Sequence, residues 1–287
     1  MSETKPRDPR RWQILALSGF LIYGVTRLDF DVGASTALAI VGAALMTQWL
    51  GTRAVGLPRF EAQSALISSL SLCLLLRAAS PVEAALVAAV AIASKFLVRA
   101  RGKHIFNPTN FGLVVGLVCL DGVWVSPGQW GTAAVAGFFF ACLGVFVVHR
   151  SRRSDVTWAF LAAWAALLGA RAAWLGDPWT IPWHQLHNGA LLLFAFFMIS
   201  DPKTTPNSRA GRVVWAVLIA LVSGYWQFGL YRPNGLLFAL VLSAPAVPLL
   251  DLILPGERYA WRFRSPERSP ENLILNEGDH HVPTPAQ

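Results

Sequence analysis

The chain has 287 residues, 54% hydrophobic and 14% charged, with mean hydropathy +0.48 and a formal net charge of +8. A soluble domain carries about 25% charged residues, so this composition excludes an ordinary soluble globule and describes a membrane protein. The surplus of cations calls for no nucleic-acid partner, because membrane topology accounts for it.

A bilayer core of about 30 Å takes roughly 20 apolar helical residues. In chain order, a basic tail, MSETKPRDPRRW (residues 1–12), comes first, and the apolar run behind it has no small-residue cleavage site. We therefore read a retained first span and no signal peptide. Ten runs follow, at about 13–29, 33–50, 62–79, 81–98, 109–124, 129–149, 156–175, 186–200, 213–229 and 235–254. They make a membrane domain over 13–255, and residues 256–287 read as a polar, disordered tail that includes His280 and His281.

Charge sets the orientation. With the N-terminus in the cytoplasm, the inner segments hold 20 of the 24 Lys and Arg residues, and only Arg27, Arg77, Arg171 and Arg232 fall outside. The positive-inside rule then places both termini of a multi-pass protein on the cytoplasmic side of a cell inner or plasma membrane. Anionic membrane lipids are the first expected partner.

The interruptions repeat. Asn107-Pro108 opens the fifth span and Arg232-Pro233 precedes the tenth, with prolines 125 residues apart; Ser80-Pro81 and Asp201-Pro202 end the third and eighth, 121 residues apart. Five spans per repeat force opposite orientations, so we expect two inverted five-helix repeats, about 13–125 and 126–255. Such repeats set ligand sites at their interface, where broken helices expose backbone groups. Asn107-Pro108 and Asp201-Pro202 are the strongest breaks on the inner side, since the residue before proline resists the helical conformation.

Other polar residues point to no second chemistry. Cys73, Cys119 and Cys142 are dispersed in apolar spans and read as small buried hydrophobes. His184 and His187 share a helix face without further ligands nearby, so no metal site is expected. Trp124, Trp130, Trp174, Trp179 and Trp183 lie near span ends, as an interfacial belt would place them. Spans one to four show few polar groups expected to be buried.

Three motifs carry a family resemblance. His187 to Pro206, HNGALLLFAFFMISDPKTTP, closely resembles the Gly-rich helix and Ala-Phe-Phe-Met-Ala-Thr-Asp-Pro segment of the NqrB/RnfD family. Gly102-Lys-His-Ile-Phe-Asn-Pro-Thr-Asn-Phe-Gly112 is similar to its Phe-Asn-Pro-Ala motif. Phe228 to Leu240, continuing to Val247-Pro-Leu-Leu-Asp251, resembles its Phe-Gly-Gly-Tyr segment and closing Pro-Leu-Ile-Asp. The resemblance covers roughly residues 90 to 255. It implies a urea-transporter-like fold of ten helices in an electron-transport complex, with a partner subunit carrying flavin or an iron–sulfur cluster. Family members join FMN to a threonine between the fifth and sixth spans. Here that connection is only Asp121-Gly-Val-Trp-Val-Ser-Pro-Gly-Gln-Trp-Gly131, without the Ala-Thr acceptor. The chain thus resembles a trimmed, UnbU-like branch, in which covalent FMN is not expected and flavin (FMN or riboflavin) would bind non-covalently.

The resemblance nominates Lys103, Asn107, Pro108, Asn110, Asp201, Pro202, Thr204, Thr205 and Arg209 as cofactor-binding. Each also has a structural reading. Asp201 either caps span eight and pairs with Lys203 or Arg209, or serves function. Thr204 and Thr205 satisfy freed backbone groups or donate to a flavin edge. Asn107 and Asn110 bond the broken helix or face the ring. Lys103, Arg209 and Arg212 suit a phosphate, though topology alone explains inner cations. No catalytic residue set is present, so redox chemistry would belong to the cofactor. A small-solute or ion transporter on the same fold is the alternative.

Overall fold

The computed structural model describes residues 9–100, 102–126 and 154–257. The expected sixth span, Cys142, Trp130 and both tails beyond these limits lie outside the described residues. In the first half, α1 (Pro9–Arg27), α2 (Ala34–Ala54), α3 (Ala62–Leu75), α4 (Pro81–Leu97) and α5 (Pro108–Cys119) follow one another. In the second half come α6 (Ser154–Leu175), α7 (Thr180–Leu186), α8 (Gly189–Leu193), α9 (Arg209–Gly224), α10 (Gly235–Ser243) and α11 (Ala246–Ile253). π-Helical turns, Phe194–Met198 and Tyr225–Gly229, extend α8 and α9. The described chain is an all-α membrane protein with two small antiparallel ribbons. Among the described residues three helices are long and apolar enough to cross a membrane: Ala34–Ala54, Ser154–Leu175 and Arg209–Gly229. Gly235–Ser243 and Ala246–Ile253 make a fourth if counted as one span, bent by 53°.

Short polar residues start the helices where the sequence changes character. Ser80 and Glu83 form a reciprocal capping box, with Glu83 N donating to Ser80 Oγ at 3.3 Å and Ser80 N to Glu83 Oε2 at 3.1 Å, and Pro81 takes the first turn. The Asn107 side chain caps α5 through Asn110 N at 3.1 Å, Asn188 caps α8 through Ala190 N at 2.8 Å, and Ser208 caps α9 through Gly211 N at 3.0 Å.

Several spans end sooner than apolar length suggests. The third stops at Leu75 and becomes β1 (Leu76–Ala78), which pairs antiparallel with β4 (Val123–Val125), Arg77 opposite Trp124. Buried Arg77 donates to Cys73 O at 3.2 Å and Leu76 O at 2.6 Å, satisfying carbonyls released by the helix end. Irregular backbone at this depth survives because protein covers it. Between α4 and α5, β2 (Arg99–Ala100) pairs with β3 (Lys103–His104) around Gly102, whose φ of 77° a side chain would strain.

Packing follows one scheme in each half. α2 lies against α4 and α4 against α5; α6 lies against α9 and α9 against α10. The short helices sit flush: a Cβ on Gly112 would fall 2.6 Å from Ala91 Cβ and 2.8 Å from Val87 O, and one on Gly235 2.9 Å from Ser223 O. α5 and α10 then meet each other and join the halves.

Polarity inside the first half exceeds expectation. Gln48, Thr52, Ser68, Ser69, Ser71, Ser94 and Lys95 are all buried, which corrects the reading of spans one to four as poor in buried polar groups. The serines escaped notice because most return their hydroxyls to their own helix, Ser68 to Ser64 O and Ser94 to Ala91 O. Cys73 is buried as expected, but Cys119 is exposed on the end of α5.

Candidate functional site

Two polar layers stand behind one another where the halves meet. The first is built on α5. Asn107 caps the helix with its oxygen and sends Nδ2 to Met198 O at 3.3 Å, while Asn110 Nδ2 reaches Leu237 O at 2.9 Å. Pro108 holds the first turn of α5 and is buried. One short helix thereby grips the π-helical turn of α8 and the start of α10.

The second layer centres on Lys103. Its ammonium donates to Thr205 O at 2.8 Å, Asn207 Oδ1 at 3.0 Å and Asp251 Oδ2 at 3.0 Å, and both charged side chains are nearly buried, 13% and 11% exposed. Asp251 Oδ1 also accepts from Asn207 N at 2.7 Å. Beside it Arg212 forks onto Asp155, with Nε at 2.9 Å from both carboxylate oxygens and Nη2 at 2.5 Å from Oδ2, and it donates to Asn207 O at 2.7 Å. Asp201 shapes the turn between the layers: its Oδ1 accepts from Lys203 N at 3.0 Å, and its carbonyl from Thr204 N and Thr205 N. Pro202 begins that turn, half-buried.

The structure thus gathers eight of the nine nominated residues and leaves Arg209 exposed on the first turn of α9. What it gathers is an interlock. Lys103 and Arg212 spend their donors on protein acceptors, so neither is held ready for a phosphate. Asn110 Oδ1 and Thr205 Oγ1 are buried atoms of the set without a partner. Asp155, Asn207 and Asp251 complete the interlock and were not nominated; only the Asp closing the third motif hinted at one of them.

A smaller polar group adjoins it. Arg10 pairs with Glu61 at 3.3 Å, Lys203 approaches the same carboxylate at 3.9 Å, and Lys95 Nζ donates to Ser64 Oγ at 3.0 Å. Burial, aided by the charges of Lys203, Lys95 and Arg99, pushes the His104 imidazole down to about 3. It is neutral at physiological pH, and its Nδ1 is buried without a partner.

A cavity of about 550 Å³ lies on the other side of the asparagine layer. Met198 and Leu237, whose carbonyls Asn107 and Asn110 hold, form part of its wall. Trp124, Trp164 and Phe194 supply aromatic surface, and Gln185, Asn188, Gln227 and Asn234 supply amides. Among the described residues no Lys, Arg, Asp or Glu lines it. Both π-helical turns contribute, through Phe194 and Met198 on one and Gln227 on the other; such turns recur at functional sites. Behind Trp164, rings continue through Phe228 at 6.3 Å and Phe160 at 6.4 Å, with the Arg171 guanidinium 4.5 Å over Phe228. Sequence reasoning missed this cavity because its residues come from five separated segments.

His184 lies in α7, and His187 follows its end with Nδ1 2.7 Å from Trp183 O. Among the described residues no group of three metal-ligating side chains occurs.

Comparison with known proteins agrees on one family. Residues 120–259 match the NQR2, RnfD, RnfE family. The chain is similar to the D component of the ion-translocating oxidoreductase complex of Erwinia tasmaniensis, 32% identical over 161 residues, which cover 54% of this chain and 40% of that protein. It is 38% identical over 123 residues to the same component from Alcanivorax borkumensis, covering 40% and 34%, and 36% identical over 125 residues to that from Salmonella arizonae, covering 42% and 34%. The chain therefore spans two fifths or less of the relatives it matches.

Proposed function

We propose, from the premise that this chain belongs to the NQR2, RnfD, RnfE family, that it is the membrane subunit of an ion-translocating oxidoreductase-type electron-transport system. It would work beside other subunits, one of them carrying flavin or an iron–sulfur cluster. In this reading the two halves are inverted repeats of a ten-helix, urea-transporter-like fold with both termini cytoplasmic. The matched packing of α2, α4 and α5 with α6, α9 and α10 supports that architecture.

The observation that carries the redox reading is the cavity. Its volume falls within the roughly 300–1,000 Å³ of small-molecule sites, and its lining suits a flat, uncharged ring edged with hydrogen-bonding groups. A flavin fits that description and supplies one- and two-electron transfer when bound. Trp124, Trp164 and Phe194 would flank the ring; Gln185, Asn188, Gln227 and Asn234 would address its polar edge. The described lining residues include no cation, which favours a flavin without a phosphate, such as riboflavin, over FMN. The nominated residues Lys103, Asn107, Asn110, Asp201, Thr204 and Thr205 would act from behind, fixing the helices that form the wall.

The test is direct. Protein purified in mild detergent should carry flavin absorbance that leaves the chain on denaturation. Ala190→Trp, which fills the cavity from its lining, should lose the flavin while keeping the wild-type unfolding transition. A wild-type preparation of this chain that carries no flavin, and takes up none when riboflavin is added, defeats the reading.

A row of serines on α3, buried at Ser68 and Ser71 and half-buried at Ser64, favours a second role, ion passage through the first half. Ser64, Ser68 and Ser71 recur at helical spacing, with Lys95 on Ser64 and Thr109 Oγ1 on Ser68 O at 3.4 Å. In vesicles holding the whole complex, Ser68→Leu should stop redox-driven ion uptake while electron flow to an added acceptor continues.

A further inference from the structure

The seven-residue helix α7 joins two membrane segments, starting five residues after α6 ends and stopping just before α8. Its faces differ. Pro182 is buried, Leu186 packs on the core and Gln185 lines the cavity. Its exposed side runs from Trp179 and Trp183, each 66% exposed, past Thr180 and His184 to Ile181, 42% exposed. The helix contains no Lys, Arg, Asp or Glu.

That exposed face is continuous with a lipid-facing one. Trp174, 88% exposed, and Leu175, 53% exposed, close α6, a helix apolar enough to span the bilayer, and Trp179 lies against Gly169 on the same helix. Indoles of about 200 Å² each, exposed together, exceed the few hundred Å² of apolar patch that a water-facing surface carries. At the end of a span, indoles settle at headgroup level.

We propose that α7 lies in the plane of the bilayer interface, its exposed side, flanked by Trp179 and Trp183 on one edge and Ile181 on the other, covered by the lipid headgroup layer, as a lid over the cavity. The cavity then receives its occupant from that layer and not from bulk water. Its uncharged lining matches an uncharged amphiphile. This goes beyond the flavin reading and does not depend on it.

The experiment uses the full chain in vesicles of phosphatidylethanolamine and phosphatidylglycerol, with Cys119→Ala and Cys142→Ala removing competing thiols. Nitroxides are placed singly at Ile181→Cys and Trp183→Cys, with Leu38→Cys on the exposed face of α2 as lipid reference and Arg59→Cys as water reference. The expected result is collision with oxygen exceeding collision with a neutral nickel chelate at both α7 positions, as at Leu38. Nickel access equal to that at Arg59 overturns the proposal, as does shielding from both reagents, which would mean a protein covers the face. Entry is read at Gln185→Cys: a membrane-permeant maleimide should label it at least tenfold faster than a charged one. Equal rates overturn entry from the lipid.

Discussion

Lys103 meets three acceptors with three ammonium protons, and that completeness sets what its loss would do. Lys103→Met leaves Asp251 nearly buried and unpaired, a loss of about 3–5 kcal/mol, whereas Lys103→Met with Asp251→Leu should recover most of it. Denaturant unfolding of the detergent-solubilised variants checks both. Arg212→Lys should also destabilise, since an ammonium cannot reproduce the fork onto Asp155. His104 has a folded pKa near 3, below its unfolded value. Between about pH 6.5 and pH 3 the unfolded chain therefore binds a proton that the folded one refuses. Its contribution is present above that window and is lost as pH falls through it, by up to about 1.4 kcal/mol per pH unit. His104→Gln should flatten the acid limb of stability against pH. At this scale Asn107 and Pro108 were legible, because a cap and a first-turn proline announce themselves locally. The partners of Lys103 and Arg212 were not, since they lie 148 and 57 residues away and no pattern in one sequence pairs them.

Helices are fitted to one another by what they lack. Gly112 lets α5 lie on α4, so Gly112→Val should force the pair apart and cost about 1–3 kcal/mol, seen as a lower unfolding midpoint. The all-α membrane character was legible because composition and apolar length decide it, and three of the expected runs are helices long enough to span among the described residues. Their breaks were harder to read. Leu76–Ala78 has the composition of helix, yet it is extended because Arg77 and the pairing with Val123–Val125 satisfy its backbone. Nothing in FAFFM marks a π-helical turn, which depends on tertiary packing around it. The run read as one span over 235–254 is instead bent by 53° between α10 and α11, where Pro245 interrupts the helix.

Across the whole molecule, function divides between depth and end. The cavity occupies one side of the asparagine layer and the ionic interlock the other, so a bound ring would rest on a wall that the two halves make jointly. The likeness to the NQR2, RnfD, RnfE family and the polar breaks were legible because three motifs keep their order along the chain. The cavity was not, because only folding brings Trp124, Trp164, Gln185, Gln227 and Asn234 together.

The interlock also sets a clock for biogenesis. Lys103 and Asp251 are separated by 148 residues, and at about 5–20 residues per second a ribosome needs roughly 7–30 s to make that stretch. For that interval Lys103 lacks its carboxylate; Thr205 and Asn207 are made first, and α11 then brings Asp251 to complete the set. Chains stalled before residue 251 should accordingly expose Lys103 to amine-reactive reagents, while finished chains protect it.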